Sequence, residues 1–149
     1  MTVLRDLEES GEIQRLRATR KELLKLLESA RRKLEDASSG TISRESRLGL
    51  AYQCILTLAK LVLRAQGYRL KGRRDEHVRT INTLRRTLGT SEERIKYYHS
   101  LRIKRHRDLY EGGLAVSSTE LNEALERGRE LLAEAEKWLT SRYPQFLGG

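Results

Sequence analysis

Cysteine, proline and aromatic residues are all scarce in this chain of 149 residues. It holds one cysteine, Cys54, and one proline, Pro144, and aromatics make up 5% of it. A lone cysteine excludes an intrachain disulfide, and no cysteine–histidine set has the spacing of a zinc site, so neither a metal nor a cofactor is expected. Few aromatics argue against an RNA-binding sheet or barrel that stacks successive bases on rings. Long apolar runs are missing too. The most apolar stretch, residues 48–63, is broken by Gln53, Thr57 and Lys60 and is short for a membrane span. Asp6, Glu8 and Glu9 stand where a signal peptide would carry its apolar region. A soluble, cytoplasmic protein without a membrane partner is the expectation.

Charge is abundant and unevenly placed. Lysine and arginine number 30 against 21 acids, for a net charge of +9. Thirteen of the cations and only four acids lie between Arg69 and Arg107, so this segment carries the whole excess. Concentrated positive charge is the electrostatic footprint of a polyanion, most often a nucleic acid. The plainer alternative is a solvated basic surface.

The apolar residues repeat with helical steps, and the spacing predicts an all-α, up-and-down bundle of about five helices. A single domain is expected over residues 1–149, with a short N-terminal segment over 1–11 and a core over about 14–140. Leu16, Leu23, Leu27, Ala30 and Leu34 define a first long helix, ended by Ser38-Ser39-Gly40. A central helix follows over Ser43 to Gln66, with Leu48, Ala51, Tyr52, Ile55, Ala59, Val62 and Ala65 inward and Gln53, Thr57, Lys60 and Arg64 as a thin polar stripe. Cys54 within it reads as a small buried hydrophobe. A basic connector to Arg74 leads to a helix over about Asp75 to Leu88. Thr90-Ser91-Glu92-Glu93 and Ser117-Ser118-Thr119-Glu120 read as capping boxes that open the last two helices. The first of these stops at Gly112-Gly113 and the second before Pro144. No strand-like alternation stands out.

The penultimate helix carries the oddest pattern. At about 100° per residue, Arg102, Arg105 and His106 fall on the same arc as Ile95, Tyr98 and Leu109. A cation aimed toward a core must be paired, hydrogen-bonded or used. Pairing with acids such as Glu123 and Glu126 is the structural explanation, and phosphate binding is the functional one.

The layout and an arginine–polar pair late in the penultimate helix resemble the HEPN superfamily, over Leu16 to Leu139. Many members of that family are metal-independent ribonucleases whose motif is an arginine, usually a polar residue, four to six intervening residues and a histidine. Arg105 and His106 match the first two positions, and Tyr110 stands where the histidine would be. A tyrosine is a poor general base at neutral pH, though it donates hydrogen bonds. Arg94 and His99 also satisfy the literal spacing, but mid-helix, and are read as coincidence.

Three functions are implied. The first is a HEPN-like protein that binds RNA or a nucleotide with little or no catalysis. Arg102, Arg105, His106 and Tyr110 would contact the ligand, and Arg69, Lys71, Arg73, Arg74, Arg85 and Arg86 would attract it. The second is a toxin-like, metal-independent endoribonuclease with Arg105, His106 and Tyr110 as catalytic candidates, acting as a homodimer. The third is a toxin–antitoxin interaction module paired with a minimal nucleotidyltransferase.

Overall fold

The computed structural model describes residues 4–112 and 115–144, and for 109–111 the backbone alone. It is an all-α bundle with one small sheet. In chain order the elements are α1 (Arg5–Glu9), β1 (Ile13–Arg15), α2 (Arg20–Ala37), α3 (Arg44–Ala65), β2 (Tyr68–Leu70), α4 (Glu76–Thr87), α5 (Glu92–Glu111) and α6 (Ser118–Arg142). Five long helices and one short one therefore stand where about five were expected.

The central helix is α3, which contacts α2, α4, α5 and α6. Its residues Leu48, Ala51, Tyr52, Ile55, Leu58, Leu61 and Val62 are almost fully buried, as is Cys54. Burying one such large side chain stabilises by about 1.5–3 kcal/mol, so α3 organises the core. By length and composition α3 is apolar enough to cross a membrane, but most of its apolar window is buried inside the bundle. Burial also pushes the Cys54 thiol up to about 12, which leaves it uncharged and inert.

Four long helices open on a hydroxyl cap, with Thr19, Ser43, Ser91 and Ser117 each accepting from the amide three residues on. The box expected at Ser117 and Glu120 is formed on both sides. At α5 the cap is Ser91, so the residue three positions on is Arg94 and no reciprocal carboxylate is available. Helix α2 begins at Arg20, four residues later than the first apolar position suggested, and Leu16 is 42% exposed. On α6, Leu139 rather than Trp138 is fully buried, and Gly128 lets Leu34 of α2 approach so closely that an added Cβ would stand 3.1 Å from its Cδ1.

The sheet corrects the expectation of no strands. Strands β1 and β2 pair antiparallel with Ile13 opposite Leu70, Gln14 opposite Arg69 and Arg15 opposite Tyr68. They enclose a second apolar cluster of Leu4, Ile13, Leu63 and Tyr68. Three residues per strand are too few to display a period of two, so the pairing is invisible in the sequence.

What fixes the sheet to the bundle is Arg64, and here the polar stripe read on α3 needs correction. Arg64 is 5% exposed. Its guanidinium grips Glu22 through Nε at 2.7 Å and Nη2 at 3.1 Å. It also donates to the carbonyls of Leu16 at 2.6 Å, Tyr68 at 2.9 Å and Arg17 at 3.4 Å. A planar fork with five donors can serve a carboxylate and several carbonyls together, which an ammonium cannot. Holding the carbonyls of Leu16 and Arg17 keeps that segment extended, which explains the late start of α2. The Arg64 charge in turn holds the Glu22 carboxyl below its ordinary range.

Replacing Arg64 should therefore strand three carbonyls. Both Arg64→Met and Arg64→Lys are expected to lower the free energy of urea unfolding, the former by about 3 kcal/mol. Wild-type stability in Arg64→Lys would show that the fork geometry is irrelevant.

Candidate anion-binding site

A cavity of about 400 Å³ opens where the N-terminal turn of α4 meets the middle of α3 and the second half of α5. Its walls carry Tyr52 from α3, Arg73 from the connector, Asp75 to Val78 at the start of α4, and Arg102, Arg105 and His106 from α5. Four residues expected at a site from the sequence are thus brought together, from segments some thirty residues apart.

The connector is held in place by Arg79, whose guanidinium donates to the carbonyls of Lys71 and Glu12 at 2.8 Å, Arg74 at 3.0 Å and Gly72 at 3.4 Å. Asp75, the residue before α4, has φ +49° and ψ +40°, a left-handed conformation that aspartate and asparagine adopt more readily than other non-glycine residues. Its side chain does not cap the helix and lies 3.7 Å from Arg74.

On the opposite wall, α5 divides its charges between two sides. Arg94 turns to α6, where Glu130 and Glu134 flank it and the Tyr98 hydroxyl accepts from it at 2.8 Å. Arg102 and Arg105 turn to the cavity. Arg105 passes over Gly49, where an added Cβ would sit 3.5 Å from its Nε. Its guanidinium carbon lies 5.8 Å from the centre of the Tyr52 ring. The Nε of Arg102 donates to His99 Nδ1 at 3.4 Å, and His99 Nε2 meets Asn82 Oδ1 at 2.8 Å. Arg94 and His99 thus serve different neighbours, α6 and α4, and make no contact with each other among the described hydrogen bonds.

Among the described residues neither Arg102 nor Arg105 has a carboxylate within ion-pair distance, so the pairing with Glu123 or Glu126 considered from sequence is absent for both. The other α5 cations behave differently, since Lys104 pairs with Glu120. Asp75 and Glu76 do line the cavity, and they offset part of its positive charge.

The remaining expected residues are dispersed. Arg69 lines a neighbouring cavity of about 530 Å³ with Lys60 and Arg64, which shares Arg73 and Glu76 with the first. Lys71 and Arg74 are exposed on the connector. Arg85 pairs with Glu92 and Arg86 with Asp6, so these two are engaged in structure. The side chain of Tyr110 lies outside the described residues.

Two site residues escaped the sequence reading. Tyr52 was assigned to the core and His77 was not singled out, yet the Tyr52 hydroxyl and His77 Nδ1 are 3.0 Å apart on the cavity wall. A tyrosine on an apolar face still needs a partner for its hydroxyl, and that is the one signal available beforehand. Burial pushes Tyr52 up to about 12, against the opposing effect of Arg102 and Arg105. Its proton therefore stays on at physiological pH. His77 is exposed at the rim, yet partial desolvation of its ring holds it below its ordinary 6.5, helped by Arg105 and Arg102 and opposed by Glu76. His99 is lowered by burial and then by Arg102 and Arg85.

No known protein family, curated protein or solved structure matches the chain.

Both lowered histidines make stability depend on pH. The unfolded chain takes up protons first as pH falls, so their contribution is complete above about pH 6.5 and declines as pH drops through the folded values. Proton NMR should place the His77 and His99 midpoints below 6.5 and move that of His77 upward in Arg105→Gln. A His77 midpoint unmoved by that substitution would mean that Arg105 does not face the imidazole.

Proposed function

We propose that the chain is a HEPN-like protein that binds RNA or a nucleotide through the phosphate, with little or no catalysis. The observation that carries this reading is that Arg102 and Arg105 face one cavity without a carboxylate partner. Guanidinium pairs bind phosphate oxygens bidentately, and two half-buried guanidiniums side by side without a carboxylate partner suit an anion that arrives later. Arg73 adds a third cation from the connector, and His106 lies beside Arg105 on the wall. The cavity volume falls within the range of small-ligand sites. The excess of cations between Arg69 and Arg107 would draw a polyanion toward it.

The resemblance adds weight where the residues meet it. If the resemblance holds, Arg105 corresponds to the family's phosphate-binding arginine near the end of the penultimate helix, and it is one of the two α5 guanidiniums lining the cavity. Low activity follows from the groups around it. General base catalysis needs a nearby group of suitable pKa, and Tyr52 is held far above neutrality.

The test uses a short single-stranded RNA with hydroxyl ends. Arg102→Gln and Arg105→Gln should each weaken binding about tenfold or more, consistent with the loss of a charge-assisted pair. Arg85→Gln should change it little. RNA incubated with the protein in EDTA should remain intact. Equal affinity in all three variants would remove the cavity from the function, and EDTA-resistant cleavage would replace this reading with the ribonuclease one.

A homodimer belongs to the same reading. Ile103, 42% exposed, lies on the outer side of α5 beside Lys104 and Arg107, an apolar position that a second copy would cover. Light scattering at micromolar concentration should give twice the 17.3 kDa chain mass, and Ile103→Glu should return it to the monomer. A monomer in the unmodified protein would remove the second copy from the account.

A further inference from the structure

The hydrogen bond between Tyr52 and His77 fixes more than a contact. Tyr52 is 1% exposed, and among the described residues His77 Nδ1 is the one hydrogen-bond acceptor that meets its hydroxyl. The other groups near that oxygen are guanidiniums, which donate and never accept. A buried hydroxyl proton without an acceptor would be left unsatisfied. The hydroxyl therefore donates to Nδ1, which places the imidazole proton on Nε2. Among the described residues Nε2 has no partner, and the imidazole is on the cavity wall beside Arg102 and Arg105.

We propose that His77, held by Tyr52 of the neighbouring helix, is a phosphate-binding residue of this cavity that donates its Nε2 proton to a phosphate oxygen and takes up a second proton when the phosphate is bound. The inference rests on the reading of the cavity as a phosphate site. It adds a residue from α4, remote in sequence from the basic cluster on α5, and a linkage between binding and pH.

The linkage follows from the charges around the ring. His77 faces Tyr52 on α3, Arg73 and Asp75 on the connector, Glu76 beside it on α4, and Arg102, Arg105 and His106 on α5. In the empty site the two α5 guanidiniums disfavour the imidazolium. Protonation would also place a hydrogen on Nδ1, so the Tyr52 hydroxyl would have to turn from donor to acceptor and lose the target of its own proton. A bound phosphate reverses the balance, since its negative charge screens the guanidiniums and attracts the imidazolium. Binding thus favours the protonated ring, and by reciprocity affinity rises as pH falls. The sign is opposite to that expected if His77 acted as a base on the ligand.

The experiment measures the affinity of a uridine pentamer with hydroxyl ends at pH 7.5 and pH 5.5. Its internal phosphodiesters do not titrate in that range, so the pH dependence belongs to the protein. The unmodified protein is expected to bind about three- to tenfold more tightly at the lower pH, within the tenfold per unit that one proton allows. In His77→Gln, whose side-chain amide cannot take up a proton in this range, the pH dependence should vanish, and His77→Ala should in addition lose about fivefold in affinity at pH 7.5. Tyr52→Phe keeps the ring under Arg105 and should shift the pH dependence upward. Loss of the pH dependence in His106→Gln with its retention in His77→Gln would assign the proton elsewhere and overturn the proposal. Binding that needs Arg105 but is indifferent to His77→Ala would leave the phosphate site standing and remove His77 from it. No binding by the unmodified protein would defeat the phosphate site itself.

Discussion

The buried guanidinium of Arg64 is the constraint on which the rest of the architecture hangs. A single side chain near the end of α3 reaches the segment before α2, the first turn of α2 and the strand that follows α3. Three short segments are fixed to the bundle by one group that apolar packing alone would leave free. From there the order passes along the chain. With Tyr68 anchored, β2 pairs with β1, the connector leaves β2 in a defined direction, and Arg79 gathers the carbonyls of the connector. Arg73 and the N-terminal turn of α4 arrive at the cavity wall as a result. The position of His77 is thus set by an arginine on another helix that never touches it.

Helix α5 shows how a charged arc is accommodated. Its first half is anchored by Ile95, Tyr98 and Leu101, all buried. Its outward cations are matched by α6, through Arg94 with Glu130 and Glu134 and through Lys104 with Glu120. Each contact joins a mostly buried cation to a half-exposed acid, and together they orient α5 about its axis. That orientation sends Arg102 and Arg105 toward α3, where Gly49 leaves room and the Tyr52 ring offers its face. Sequential helices were expected to pack closely side by side. Here α5 and α6 meet chiefly through long side chains, and α6 packs on α3 and α2 instead.

Much of this was legible because it depends on local periodicity. The five long helices, the burial of α3 and the Ser117 cap follow from spacing and cap chemistry, which operate within a few residues. The two-residue-period sheet did not, since β1 and β2 are separated by the whole of α2 and α3 and are too short to carry a pattern. Arg64 was read only as part of a thin polar stripe, because a helical wheel cannot tell a polar residue facing water from one facing a carboxylate forty-two residues away. The site was half legible for the same reason. Arg102, Arg105 and His106 share one helix and revealed themselves by their arc. Tyr52 and His77 come from two other helices, and only the crossing of α3 and α4 makes them neighbours.

The hydrogen bonds also decide what kind of chemistry the cavity favours. His77 receives the Tyr52 proton at Nδ1, and His99 receives an Arg102 proton at Nδ1 while its Nε2 meets the Asn82 oxygen. Tyr52 keeps its proton near neutrality, held at about 12, and a guanidinium donates and never accepts. With Nδ1 accepting, each neutral imidazole carries its proton on Nε2 and is a donor there. A wall of two guanidiniums and an imidazole N–H offers hydrogens to an anion from several directions, while the Nδ1 lone pairs of His77 and His99 are already occupied by Tyr52 and Arg102. His106, adjacent to Arg105, is the remaining imidazole. An arrangement that supplies donors in excess and withholds bases matches an oxyanion as it arrives, fully formed, better than one in the course of reaction. That asymmetry, set by a tyrosine in the core, is what supports the proposal of binding over cleavage.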